Sequence, residues 1–158
     1  MRENNLIFII LLLLIGCASS RNINTSNTKS GLLKEKETQS TPENLDKTKW
    51  KLLSMKNINV TSVHYDENRP WIIFDIEKSM INGYNGCNRF GGTCTFSKDS
   101  VNIGVLMSTK RYCQDIPETE FMKLLESVNI FQINNSILKL KSNDEIVMTF
   151  SKATIQNN

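Results

Sequence analysis

The sequence predicts a strand-rich α+β domain of about 105 residues with one helix, preceded by a leader and a polar tether. Three observations carry that reading. Short apolar stretches recur between residues 50 and 150, separated by Asn, Gly and Asp turn signals. One segment departs from this texture and repeats its apolar residues at helical spacing. The first 46 residues hold one apolar run and then almost nothing that could build a core.

The apolar run comes first. Leu6 to Ile15 is unbroken and ten residues long. A bilayer-spanning helix needs about 20 such residues, so the run fits the core of a secretory signal peptide. Leu14-Ile15-Gly16-Cys17 then resembles the bacterial lipobox, in which a small residue precedes a Cys that becomes the lipidated N-terminus. The chemistry needs a thiol to carry the diacylglycerol and a small residue ahead of it to fit the peptidase. The expected partner of Cys17 is therefore a membrane, reached through acyl chains that contribute about 0.8 kcal/mol per buried CH₂. Ala18, where an Asp would signal retention in some bacteria, resembles an outer-membrane address.

Residues 17–46 are expected to be the lipidated Cys and a flexible tether, after a signal peptide at 1–16. The stretch is rich in Ser, Asn, Thr, Lys and Glu; only Ile23, Leu32, Leu33 and Leu45 are larger apolar residues. Such a segment cannot bury enough surface to offset its conformational entropy. As a coil it reaches roughly 30 Å.

From Lys47 to Lys152 the chain reads as strands, followed by a short tail at 153–158. Trp50, Leu52, Leu53 and Met55 suggest the first, and Trp71–Ile76 is dense enough to be a largely buried second. Met80–Tyr84 runs into Asn85-Gly86, a strong turn dipeptide. In Thr93–Phe96, Cys94 and Phe96 fall on one face; in Val101–Val105, alternation places Val101, Ile103 and Val105 together. Ile130–Ile133, Ile137–Leu140 and Ile146–Phe150 complete the set, with turns at Asn134-Asn135 and Ser142–Asp144.

The helix is expected at about 116–128. Asp115 as N-cap, Pro117 in the first turn and Glu118 three residues after the cap make a start signal. Phe121, Leu124, Leu125 and Val128 then form one apolar stripe, expected to pack on the sheet.

Composition excludes several function classes. A net charge of +3, from 19 Lys+Arg against 16 Asp+Glu, is no nucleic-acid footprint. The single His, His64, sits in a loop-like, surface-type stretch and leaves little room for a nucleophile-and-base pair. Three cysteines and that His have no finger or ribbon spacing, so no metal site is expected. The glycines at 86, 91 and 92 lead to no Gly-Lys-Ser/Thr and serve turns or bulges rather than phosphate. No cofactor is expected, and the chain is read as a monomer and not an enzyme.

The motifs themselves resemble a known family. Trp50-x-Leu52, Gly83, Gly86-Cys87-Asn88-Arg89-Phe90-Gly91-Gly92, Val101-x-Ile103, Thr109-x-x-x-Cys113, Glu120-Phe121, Phe131-x-Ile133 and Leu138-x-Leu140 occur in the order of the META domain, the family of the HslJ-like heat-shock lipoproteins. The resemblance covers about 47–152. It implies a mainly antiparallel, curved or barrel-like small sheet with a packed helix. It also implies an envelope lipoprotein linked to heat shock and stress tolerance, with no catalytic activity established for the family. Two positions depart from the family: Cys94 stands where an aromatic residue is common, and Lys110-Arg111-Tyr112 stands where small apolar residues are common.

The resemblance also implies a Cys87–Cys113 disulfide, with Cys94 left as a free, buried thiol. The residues alone leave open a Cys87–Cys94 pairing across a hairpin, or no bridge. A redox role for Cys94 is the alternative function; an inhibitory or structural module docked on another envelope protein is another. If Cys87 and Cys113 are bridged, Arg89, Lys110 and Arg111 share one neighbourhood and form a candidate patch for an anionic partner. Solvated surface cations are the plainer reading of the same three residues.

Overall fold

The computed structural model describes residues 40–63, 65 and 69–153. Cys17, His64, the leader and most of the tail lie outside those residues. Eight strands form one antiparallel sheet in sequence order: β1 Trp50–Met55, β2 Trp71–Asp75, β3 Met80–Tyr84, β4 Arg89–Ser97, β5 Ser100–Ser108, β6 Ile130–Asn134, β7 Ile137–Ser142 and β8 Glu145–Lys152. The sheet closes into a barrel because β1 also pairs with β8. One α-helix, α1 (Glu118–Glu126), joins β5 to β6.

Inward side chains fill the barrel. Trp50, Leu52, Ile72, Phe74, Ile81, Phe131, Leu138, Leu140 and Phe150 are all essentially inaccessible. Phe96 stacks edge-on against Phe74 and Phe131, with ring centroids 5.5 and 5.8 Å away. The helix contributes Phe121 and Leu125, and Phe121 lies 5.8 Å from the Phe90 ring. Among the described residues the buried core runs from Leu45 to Phe150, and burying it drives the domain's folding.

Tight turns connect most strands, several through a residue with positive φ: Lys98, Asn135 and Asn143 lead the β4–β5, β6–β7 and β7–β8 turns. Asn134 belongs to β6, so the expected Asn134-Asn135 turn is realised one residue later, as Asn135-Ser136.

Three further expectations change. The helix begins at Glu118, and the position before it is Pro117, with no side-chain cap. Asp115 has φ +58° and cannot act as the N-cap. Glu118 is taken by a tertiary hydrogen bond from Asn88, so the capping box does not form. Secondly, Val105 does not join Val101 and Ile103 in the core; it is 85% exposed. From Cys94↔Ile103 to Gly92↔Leu106, β4 advances by two residues and β5 by three. The extra residue is a bulge in β5 that turns Val105 and Met107 outward. In β1 the extra residue between Leu52 and Ser54 returns Met55 to the core, while Leu53 stays on the exposed face with Lys51. Thirdly, residues 40–46, assigned above to the tether, pack on the domain. Leu45 is fully buried, Asp46 bridges to Phe74, and the Asp46 carboxylate accepts the Ile76 N–H at 2.8 Å.

Candidate functional site

The clearest constellation of polar groups lies where β3 turns into β4 and meets the segment after β5. β3 ends at Tyr84, and Asn85 starts the turn. The Asn85 Oδ1 accepts the backbone N–H groups of Cys87 (3.1 Å) and Asn88 (2.7 Å), an Asx-type turn closed by the Asn85 N–H to the Asn88 carbonyl at 3.0 Å. Gly86 has φ +103°, and a Cβ there would meet the Tyr65 ring and Ile116 inside 3 Å. Only glycine serves this position.

The turn aims Asn88 inward, where it is 2% exposed. Its Nδ2 donates to the Arg111 carbonyl (2.9 Å) and to the Glu118 carboxylate (2.6 Å). Its Oδ1 accepts from the Thr109 hydroxyl (2.9 Å) and the Arg111 N–H (2.7 Å). A side-chain amide has two donor hydrogens and two acceptor lone pairs, so Asn88 is saturated. Beside it Cys87 is bridged to Cys113, with Cα atoms 5.7 Å apart, which is the pairing the family resemblance implied. The Thr109 N–H also donates to the Arg89 carbonyl at 3.0 Å. Five hydrogen bonds and one disulfide therefore pin residues 109–113 and the helix start to the turn that leads into β4 and to its first residue.

What this clamp presents is a cationic loop. Lys110, Arg111 and Tyr112 are exposed, Tyr112 at 88%, and Arg89 is exposed beside them. The ion pairs among the described residues join Lys47 to Glu77, Lys56 to Glu145 and Lys78 to Asp75. Arg89, Lys110 and Arg111 take part in none of them. The bridge and the Thr109–Arg89 backbone hydrogen bond bring the backbones of Arg89, Lys110 and Arg111 into one neighbourhood, and among the described residues none of the three has a carboxylate partner. Lys110, Arg111 and Lys123 line a shallow cleft with Glu118 and Glu126. A roomier depression, about 980 Å³, lies elsewhere, between residues 40–43 and β6. Its charged lining, Glu43, Lys98, Asp99 and Lys141, is of mixed sign. Among the described residues no group of three metal-ligating side chains occurs.

Cys94 is the free cysteine of the described residues. It lies 1% exposed on the inward face of β4. Burial, with the negative charge of Asp75 adding to it, pushes its thiol up to about 12. At neutral pH it carries its proton and behaves as a small apolar side chain.

The cations and cysteines can be picked out along the sequence, but the residue that organises them cannot. Asn88 stands in its motif with no local sign of its role, and Val105, expected inside, lies outside. The Asn85-Gly86 dipeptide signalled the turn; nothing local signals which distant carbonyl and carboxylate Asn88 reaches.

The comparisons with known proteins agree with this architecture. The family model that matches is that of the META domain, over residues 43–155. A protein solved by NMR is 27% identical, with 75% of this chain and 99% of that one covered at a TM-score of 0.60. A second NMR structure, of a protein from Burkholderia xenovorans, is 18% identical over 71% of this chain and 86% of its own, TM-score 0.58, a likeness of fold. No curated protein matches the chain.

Proposed function

The chain belongs to the META-domain family, and on that premise we propose that it is a non-enzymatic, lipid-anchored protein of the bacterial envelope, in the outer membrane, that acts by binding and contributes to stress tolerance. The observation that carries the reading is the saturation of Asn88. The family-type motif Gly86-Cys87-Asn88 spends every polar group it has on structure, in a disulfide and internal hydrogen bonds. It leaves no free nucleophile or base, and it supports a rigid, unpaired cationic loop at Lys110–Tyr112. Rigid presentation of exposed groups suits recognition, because little conformational freedom is lost on binding.

A thiol-based role for Cys94 is disfavoured by its burial and its raised pKa, since the thiolate is the reactive form. The lipobox-like Leu14–Cys17 supports the anchor. Two measurements test the proposal. The mass of the mature protein should show acyl chains on Cys17 and an N-terminus at that residue; an intact, unmodified N-terminus overturns the anchor. In cells lacking the chain, Cys94→Ala should restore envelope-stress survival fully while Arg89→Glu/Lys110→Glu/Arg111→Glu should not. The opposite pattern would replace binding by thiol chemistry.

A further inference from the structure

The cationic loop does not stand alone on its face. In β4 the inward residue Phe90 separates Arg89 from Gly91, so Arg89 points outward. Gly91 pairs with Met107, and the Thr109 N–H reaches the Arg89 carbonyl. Met107 is therefore a diagonal neighbour of Arg89 on the outer face. The β5 bulge that expels Val105 puts it on that same outer face, two residues from Met107. Val105, Met107 and Tyr112 are 85%, 76% and 88% exposed. One continuous surface thus carries Val105 and Met107, then Arg89, then Lys110, Arg111 and Tyr112.

Aliphatic and aromatic side chains this exposed, lying beside unpaired cations, suit an interface between water and an apolar phase. Apolar groups enter the headgroup boundary there while Lys and Arg meet anionic phosphates. Tyr is at home at that depth, with its ring apolar and its hydroxyl wet. The charge balance favours an anion: Arg89, Lys110, Arg111 and Lys123 outnumber the exposed Asp115 and Glu126, and the nearby Glu118 is turned inward to Asn88. We infer that this face docks the folded domain onto an anionic lipid surface, with the cations on headgroup phosphates and Met107, Tyr112 and Val105 in the headgroup boundary. The inference rests on the reading of the Lys110–Tyr112 loop as the binding surface, and it is independent of acylation at Cys17.

The test uses residues 18–158, which lack the apolar run and Cys17 but retain the whole core. Sedimentation is measured with vesicles of phosphatidylcholine alone and with one third phosphatidylglycerol. The protein should bind the anionic vesicles, weaken as salt rises and leave the neutral ones. Each cation near an anionic surface is worth roughly fivefold in binding, so Arg89→Glu/Lys110→Glu/Arg111→Glu should weaken it at least tenfold. Lys51→Glu/Lys98→Glu/Lys152→Glu makes the same charge change on exposed positions elsewhere and should move it less than about threefold. Met107→Ser/Tyr112→Ser should weaken it severalfold. These residues are exposed, so unchanged melting curves verify that the variants are folded. Equal binding to both vesicle types, no binding to either, equal losses in the two triple variants, or an unaffected Met107→Ser/Tyr112→Ser variant overturns the inference. If acylated Cys17 is found but the anionic vesicles are ignored, the anchor stands and the docking face falls.

Discussion

Asn88 grips the backbone of Arg111 from both sides: its Oδ1 accepts the Arg111 N–H at 2.7 Å and its Nδ2 donates to the Arg111 carbonyl at 2.9 Å. A buried side chain here does what a neighbouring β-strand would do, giving a loop that lies outside any ladder its backbone partners. The loop that carries the cations is therefore held as firmly as a strand end.

Asn88→Ala removes four hydrogen bonds and leaves buried partners unsatisfied. It should lower unfolding stability by about 2–4 kcal/mol. Asn88→Asp keeps the two acceptor bonds but sets a second carboxylate against Glu118 and the Arg111 carbonyl, so it should be no milder. Urea unfolding measures both, and a loss below about 1 kcal/mol in either would remove Asn88 from its central place.

The disulfide and Asn88 act on the same segment, so their effects should not add. The Cys87–Cys113 separation of 26 residues corresponds to about 3.5 kcal/mol in the chain-entropy account. Cys87→Ala/Cys113→Ala should cost roughly that amount, and combining it with Asn88→Ala should cost at least about 1 kcal/mol less than the sum. Strict additivity in the double-mutant cycle would mean that the two links hold different parts of the fold.

Cys94 makes a pH prediction with a definite sign. Its thiol titrates at about 12 in the folded chain and near 8.5 in an unfolded one. Below pH 8.5 the thiol is neutral in both states and contributes no slope. Between 8.5 and 12 the unfolded chain releases the proton and the folded chain keeps it, so stability falls by up to about 1.4 kcal/mol per pH unit. The wild type minus Cys94→Ala stability difference should be flat from pH 6 to 8 and decline from pH 9 to 10. Ellman's reagent should find the thiol only after denaturation.

The β5 bulge predicts opposite fates for two similar residues. Ile103→Ser opens a cavity in the core and buries a hydroxyl; it should cost about 3 kcal/mol or more. Val105→Ser changes an exposed position and should stay within about 0.5 kcal/mol. Equal costs in thermal unfolding would mean that the strand alternates without a bulge.

Much of the fold was legible because it rests on local rules. β3 was read with its observed bounds, β1 and β2 within a residue, and the helix stripe identified Phe121 and Leu125, which pack inward. The failures share one cause. Val105, Asp115 and Leu45 each obey a local pattern that a longer-range relation overrides. A bulge reverses the face of Val105, and Asn88, in the turn before β4, takes Glu118 away from capping. The barrel wall covers Leu45. The site was legible only in part for the same reason: charges and cysteines can be counted along a chain, but the partners of Asn88 lie 21 to 30 residues away.

By itself the sequence determined most of the residues that lie inside, where most of the turns fall, that a helix interrupts the strands, and the family to which the motifs point. These follow from side-chain hydrophobicity, turn chemistry and periodicity, which act over a few residues. Only the tertiary structure decided that the strands close on themselves. It also decided that, among the described residues, Arg89, Lys110 and Arg111 have no carboxylate partner, and that Val105 and Met107 extend their surface. Those outcomes depend on register and on hydrogen bonds between distant segments, where one extra residue in β5 moves every later side chain to the other face.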